Sequence, residues 1–335
     1  MISGANAQGK TNLLEAVSLV STARLLRGGR DANAVRHGRE TALVEGTLAS
    51  SGTSVTVELK RVGRKRVLLN GVGLTRASDL LGRLPSVSFS AADLAIVTGE
   101  PADRRQFLDW ELAQLYPSYL QALAVYKRAL EQRNALLRQA QERNVPEELF
   151  ESWEERMGPS GAVLRTARAE WIRSLDRWAG EAHATMGGGE RLSLAYMPKE
   201  ETWGAPGLTA ALAATRSADV PRGSTSVGPH RDDVAVTVGG TEARLFGSQG
   251  QQRTAVIAVK LAVLSCAEET FGMTPVLLLD DVFSDLDQTR RSRLIGLTLD
   301  RGGQVFLTCT EVSQAGGLTD RASVFRVESG EVRPE

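Results

Sequence analysis

The sequence predicts an α/β protein whose core is interrupted by a helical insertion and carries an appended antiparallel β region. Three observations predict this. A glycine-rich loop, Gly4 to Thr11, runs straight into a helix-patterned segment. Residues 103 to 186 carry almost no strand signal. Beyond them, short apolar runs alternate with helical stretches, and one run ends on the paired acids Asp280 and Asp281. The expected division is therefore 1–102, 103–186 and 187–335, the middle part inserted between two halves of one core.

Taken in order, Asn12 to Leu25 reads as a helix, with Leu13, Leu14, Ala16, Val17 and Val20 on helical spacing. Ala42 to Leu48, Val55 to Lys60 and Arg66 to Leu69 read as strands. Ser51-Gly52 and Asn70-Gly71 fit hairpin turns between them. Leucines and aromatics from Leu108 to Leu137 recur at three- and four-residue steps. A break at Asn144-Val145-Pro146 precedes a second run through Trp153, Leu164, Trp171 and Leu175. This is a helical hairpin or a compact helical subdomain; arms of ~40 residues would extend ~60 Å. Gly158-Pro159 is expected to break the second helix. Arg191 to Tyr196 and Val234 to Val238 read as strands, Gly250 to Thr270 as a long helix. Val276 to Leu279 and Val305 to Leu307 read as short buried strands flanking a helix at Gln288 to Leu299.

Composition excludes several classes. No apolar run approaches the ~20 residues that span a bilayer, and the first residues have neither a basic segment nor an apolar stretch. A cytoplasmic protein without a membrane partner is expected. The two cysteines, Cys266 and Cys309, and three histidines are scattered, which argues against a disulfide framework or a zinc site. Net charge is zero, so any nucleic-acid contact must come from a local patch. Arg61, Arg64, Lys65 and Arg66, with Arg104 and Arg105, are the local candidates; solvated charged faces would look the same.

Gly4-Ala5-Asn6-Ala7-Gln8-Gly9-Lys10-Thr11 matches GxxxxGK[ST] in full. Such a loop curls backbone N–H groups around phosphate oxygens, and the following helix, continuing at Asn12, aims its positive end at the anion. Lys10 adds charge at the β- and γ-phosphates, and the Thr11 hydroxyl ligates Mg²⁺. ATP with Mg²⁺ is the expected cofactor. A strand should deliver this loop, yet only Met1, Ile2 and Ser3 precede it. The core's N-terminal strand is therefore expected to be missing or nearly so, with apolar surface exposed and stability reduced.

Val276-Leu277-Leu278-Leu279-Asp280-Asp281 is a Walker B arrangement. Asp280 would hold Mg²⁺, directly or through water, and Asp281 would orient or deprotonate the attacking water. Ser248-Gln249-Gly250-Gln251 opens a strong helix. Ser248 is a good N-cap, but Ser248, Gly250 and Gln251 in this layout also offer a second helix N-terminus to a phosphate. One loop already occupies one side of the nucleotide, so this second end should come from another subunit.

The order of these motifs, closed by Phe283-Ser284-Asp285-Leu286-Asp287, resembles an ABC ATPase of the DNA-repair branch. Phe89-Ser90-Ala91-Ala92-Asp93-Leu94, Gly99 to Asp109 and Thr225-Ser226-Val227-Gly228-Pro229-His230-Arg231-Asp232-Asp233 narrow the resemblance to the RecF family. It implies an ABC-type P-loop NTPase fold, and Phe283 to Asp287 as the D-loop along a dimer seam. It implies ATP-driven dimerisation that clamps single-strand-gapped or double-stranded DNA, and weak, DNA-stimulated hydrolysis that releases it. It also implies work with RecO and RecR mediators in loading recombinase, fork maintenance and the SOS response. The short carboxylate of Asp281 in place of Glu favours slow hydrolysis. Thr308 stands where a switch histidine is expected and is offered as a γ-phosphate contact. A transporter ATPase subunit fits less well, given the insertion and Asp281. A short SMC-like organiser would need a far longer coiled coil than residues 103–186 can form.

Overall fold

The computed structural model describes residues 1–26, 28–49, 51–187, 189–201, 203–284, 286–299, 301–313, 318 and 321–335. Strand β1 (Ile2–Ser3) leads through the glycine-rich loop into α1 (Lys10–Thr22). Strands β2 (Thr41–Thr47), β3 (Ser54–Lys60), β4 (Arg66–Leu69), β5 (Val72–Gly73) and β6 (Ser86–Phe89) follow. The helices α2 (Ala95–Thr98), α3 (Pro101–Leu115), α4 (Pro117–Gln139) and α5 (Glu147–Thr185) come next. After them run β7 (Leu192–Met197), α6 (Ala205–Asp219), β8 (Asp233–Val238), β9 (Thr241–Glu242), α7 (Ala243–Phe246) and α8 (Gln249–Phe271). The chain ends with β10 (Val276–Asp280), α9 (Gln288–Leu299), β11 (Val305–Cys309), β12 (Phe325–Glu328) and β13 (Glu331–Pro334).

Two compact units result. One holds Met1–Leu94, Ala182–Gly187 and Val256–Glu335; the other holds Ala95–Glu181 and Gly188–Ala255. This division falls at other points than the three-part reading of the sequence. Residues 188–255 group with the helices because the helices' buried arginines are neutralised by Asp219, Asp232 and Asp233.

In the first unit a six-stranded sheet runs β13-β12-β1-β11-β10-β6, and a four-stranded antiparallel sheet runs β2-β3-β4-β5. Helix α1 serves both. Leu14 packs with Ile2, Leu278 and Val327 of the larger sheet. Leu19, Val20 and Ala23 pack with Val55, Val57, Leu59 and Val67 of the smaller one. The strand before the loop is short rather than missing: Ile2 and Ser3 pair in parallel with β11 on one side and β12 on the other. Its neighbours are longer, and an apolar cavity of about 630 Å³ opens there, with Met1, Ile2, Val17, Phe306 and Phe325 in its walls.

The second unit departs from the helical hairpin of the sequence reading in two ways. Pro117 starts a new helix, because Tyr116 before it is held extended at φ −128°. Gly158-Pro159 does not break α5, which continues through Thr185 and is about 60 Å long at the α-helical rise. Packing overrides the proline here. A Cβ on Gly158 would lie 1.9 Å from Thr209 Oγ1 and 2.8 Å from the Ala205 carbonyl, so the glycine is where α5 meets α6 most closely. The Ser160 hydroxyl donates back to the Arg156 carbonyl at 2.6 Å.

Buried charge organises this unit. Arg133, fully buried, donates to Glu154, Asp219, Thr225 and the Leu212 carbonyl. Arg165 grips Asp232 with two bonds of 2.8 Å, and Arg168 holds Asp109, Tyr119 and the Pro229 carbonyl. Of the two read as DNA candidates here, Arg104 faces inward and Arg105 is half-buried. Arg104 is buried in a bidentate pair with Asp233, and Arg105 donates to the Asp232 carbonyl.

His230 sits in the same network. The Tyr126 hydroxyl donates to its Nδ1 at 2.7 Å, and its Nε2–H donates to the Thr225 carbonyl at 3.0 Å. The bond accepted at Nδ1 needs the neutral ring, and burial pushes its pKa down to about 4 against a partial rise from the Thr225 bond. Its folded pKa is therefore depressed. The stabilisation is complete above the unfolded value of 6.5 and is lost as pH falls towards 4. Urea unfolding at pH 7 and pH 4.5 should show wild type losing about 2 kcal/mol more than His230→Gln. Equal losses in the two proteins would contradict the burial of a neutral ring.

Candidate nucleotide-binding site

Four segments of the first unit converge at the carboxyl ends of its parallel strands. The glycine-rich loop follows β1, and Gly4 lets it turn. Gly4 has φ +146°, and a Cβ there would sit 2.5 Å from the Val327 carbonyl oxygen of β12. Ala7 takes φ +64°, a left-handed conformation that costs a non-glycine residue about 1 kcal/mol. The outer face of the loop is fixed by the β12–β13 tip: Ser329 N–H donates to Gln8 Oε1 and Gly330 N–H to the Gln8 carbonyl. Gln8 thus braces the loop rather than facing a ligand.

Helix α1 begins at Lys10 with Gly9 as its N-cap, with no capping side-chain bond and no acid in its first turn. No side-chain cap or acid thus competes with an anion at this helix end. The Lys10 ammonium is buried and donates to the Gly4 and Ala5 carbonyls at 2.6 and 2.9 Å. Beside it, the Thr11 hydroxyl lies 2.9 Å from Asp280 Oδ1. Asp280 ends β10, and the β10–β11 register sets Thr308 directly opposite it. Asp281 follows at φ +53°, a strained conformation of the kind that gathers at functional sites.

These groups enclose a cavity of about 680 Å³. Asn6, Ala7, Gly9, Lys10, Thr11 and Asn12 line one side; Asp280, Asp281 and Thr308 line the other. A third wall, Ser90 to Ala92, was not assigned to the site from sequence. Its signal was present in the Phe89 to Leu94 string. Asp93 accepts from the Ser90 N–H at 2.6 Å and stands 3.6 Å from the buried ammonium of Lys260 on α8, so this turn is held from behind.

Ser248, Gly250 and Gln251 lie in the second unit and are not among the cavity's lining residues. Ser248 and Gln251 form a reciprocal cap: Gln251 N–H donates to Ser248 Oγ and Ser248 N–H to Gln251 Oε1. After Asp281, Phe283 is buried and the Ser284 hydroxyl donates to the Asp281 carbonyl. Asp287 caps α9 through the Arg290 N–H. Asp285 of the D-loop string lies outside the described residues. On the four-stranded sheet, Arg61 donates to the Val35, Arg36 and Arg39 carbonyls. It ties two basic turns together, leaving Arg36, Arg39, Arg64 and Arg66 exposed, while Lys65 pairs with Asp31.

A phosphate loop, an acidic strand end beside it and this sheet order define the ATPase head of the ABC type. Structures of Smc head domains share the fold: one from Pyrococcus furiosus superposes with TM-score 0.56 at 16% identity over all of this chain and 88% of that one. The chain belongs to the RecF family of DNA replication and repair proteins. It is 39% identical to RecF of Synechococcus sp. (strain JA-3-3Ab) over 99% of its own length and 90% of that protein's. It is 41% identical to RecF of Symbiobacterium thermophilum over 98% and 90%. A solved structure of RecF with ATP, from the RecFOR pathway, matches with TM-score 0.91 at 32% identity, covering all of this chain and 90% of that one. No protein-family model matches the chain. Among the described residues no helix is long and apolar enough to cross a membrane.

The loop geometry gives a direct test. Gly4→Ala should destabilise the protein by about 2–3 kcal/mol in urea unfolding, because the clash is with backbone. Wild-type stability would mean that the loop and β12 do not approach as closely as they do here.

Proposed function

We propose that this chain binds ATP at the Gly4–Thr11 cavity, dimerises on doing so, holds DNA, and releases it after slow hydrolysis. The observation that carries this reading is the convergence of Lys10, Thr11, Asp280 and Asp281 on one cavity. Lys10 would leave its two loop carbonyls for the β- and γ-phosphates. Asp281 would orient or deprotonate the attacking water.

Mg²⁺ fits the donors present. Thr11 and Asp280 supply hard oxygens 2.9 Å apart. Among the described residues no cluster of three or more acidic, histidine or cysteine side chains could hold a metal alone. That suits an ion bound through one carboxylate, a hydroxyl and substrate phosphates. The ion would offset charge on the transferred phosphoryl group.

The second anion-binding end, at Ser248, Gly250 and Gln251, would come from another copy, making the ATP-bound form a homodimer. The two basic turns joined by Arg61 would contact DNA phosphates in gapped or double-stranded DNA. The chain would also cooperate with RecO and RecR mediators in recombinase loading, fork maintenance and SOS induction, and DNA would stimulate its hydrolysis; its membership of the RecF family supports this reading.

Lys10→Ala should weaken nucleotide binding by about 100-fold or more, since a charge-assisted phosphate contact is lost. ATP-dependent DNA binding should go with it, while in wild type that binding falls steeply with salt. Unchanged nucleotide affinity in a fluorescence titration would remove the loop from the site. Ser248→Arg should bind ATP as wild type does yet stay monomeric in size-exclusion runs with ATP. A dimer there would refute the role of the α8 terminus.

A further inference from the structure

We propose that Thr308 is a positioning residue for the Walker B acids, and that it does not contact the γ-phosphate. This rests on the reading of the Gly4–Thr11 cavity as an ATP-hydrolysing site. Thr308 is fully buried at the cavity wall, beside the acidic pair. Its hydroxyl accepts from the Asp281 N–H at 2.9 Å and lies 3.0 Å from Asp280 Oδ1, to which it donates. The Leu279 carbonyl, at 3.5 Å, is the weaker alternative acceptor.

A hydroxyl has one proton to give. Here that proton is engaged by Asp280, so Thr308 could serve a phosphate oxygen only by abandoning the carboxylate. Its remaining capacity is as an acceptor, which a phosphate does not satisfy. The two bonds form a relay from the Asp281 N–H through Thr308 Oγ1 to Asp280 Oδ1. They couple adjacent acids through a side chain on the neighbouring strand.

Two consequences follow from that relay. Asp280 is held between two hydroxyls, Thr11 on one side and Thr308 on the other, so one of its oxygens is fixed when Thr11 turns to a ligand. Asp281 has its amide pinned just where the backbone enters φ +53°. An unpinned residue would relax towards negative φ, and its carboxylate would swing away from the water it has to orient. The β10–β11 register, pairing Asp280 with Thr308, puts the hydroxyl within reach of both acids.

Valine matches the volume of threonine without the hydroxyl. Thr308→Val should therefore lower kcat by about 10- to 100-fold, as loss of a supporting hydrogen bond does, with the Kd for a fluorescent ATP analogue within about threefold of wild type. Thr308→Ser should keep kcat within about threefold. In nucleotide-free protein, the Asp281 amide should exchange hydrogen about tenfold faster in Thr308→Val. Wild-type kcat in Thr308→Val, equal impairment in Thr308→Ser, or unchanged Asp281 exchange would each overturn the inference. So would loss of nucleotide affinity in step with kcat, the mark of a direct phosphate contact. If Thr308→Val melts below the assay temperature, Thr308→Cys replaces it, and its kcat should fall below that of Thr308→Ser; a kcat equal to that of Thr308→Ser would overturn the inference. Absence of turnover in wild type would sink the ATPase reading instead, and the exchange measurement would still decide the role of Thr308.

Discussion

Burial of α1 on both sides is the constraint on which the first unit depends. A surface helix buries one stripe; this helix gives Leu14 to the six-stranded sheet and Leu19, Val20 and Ala23 to the four-stranded one. The loop before it therefore has little freedom of aim. Moving α1 would open two apolar interfaces, each stabilised by several buried aliphatic side chains at roughly 1.5–3 kcal/mol apiece. The brace at Gln8 and the near contact of Gly4 with Val327 fix the other end of the loop. A phosphate-binding loop whose backbone is set before the ligand arrives loses little entropy on binding.

The second unit solves a different problem. Its helices carry arginines at buried positions, and each is matched to carboxylates that come from residues 219–233 or from neighbouring helices. Breaking such a pair strands a buried charge at a cost of about 3–5 kcal/mol. The strings around Arg104 and around His230 to Asp233 are thus joined in space: Arg104 with Asp233, Arg105 with the Asp232 carbonyl, Arg165 with Asp232. Residues that mark the family in sequence hold this unit together.

The site was legible where chemistry forces a local pattern. The phosphate loop needs glycine and lysine at fixed spacing, and the Walker B strand needs an apolar run ending in acid. Helix α8 announced itself by Ser248 and its apolar spacing. The fold was less legible where tertiary contacts overrule local preference. Pro159 reads as a helix breaker, yet Gly158 against α6 keeps α5 whole. Strands β12 and β13 show mixed polar runs, because only Val327 among them is buried deeply. The Ser90 to Ala92 wall was marked in sequence only by the Phe89 to Leu94 family string, not by any phosphate-binding chemistry; it enters the cavity because β6 pairs with β10. Arg61 and Arg104 look alike in sequence, and only the position of their acceptors separates an inward role from a solvent-facing one.

In the free chain each half of the proposed nucleotide site is satisfied internally. Lys10 occupies the carbonyls of Gly4 and Ala5, and Ser248 with Gln251 closes its own helix cap. A triphosphate must displace the first set, exchanging two charge-assisted bonds to carbonyls, worth about 1.5–3 kcal/mol each, for contacts to a multiply charged anion. That exchange favours the phosphate, since the carbonyls can turn to water while the ammonium gains a full opposite charge. The second cap has less to gain, because its serine and glutamine are neutral and already paired. In the proposed dimer, nucleotide binding by one chain and closure on a second would then be separable in energy, the first driven by Lys10 and the second by what the assembled pair excludes from water. A chain built this way could hold ATP without committing to closure, as the proposed nucleotide-gated clamp would require.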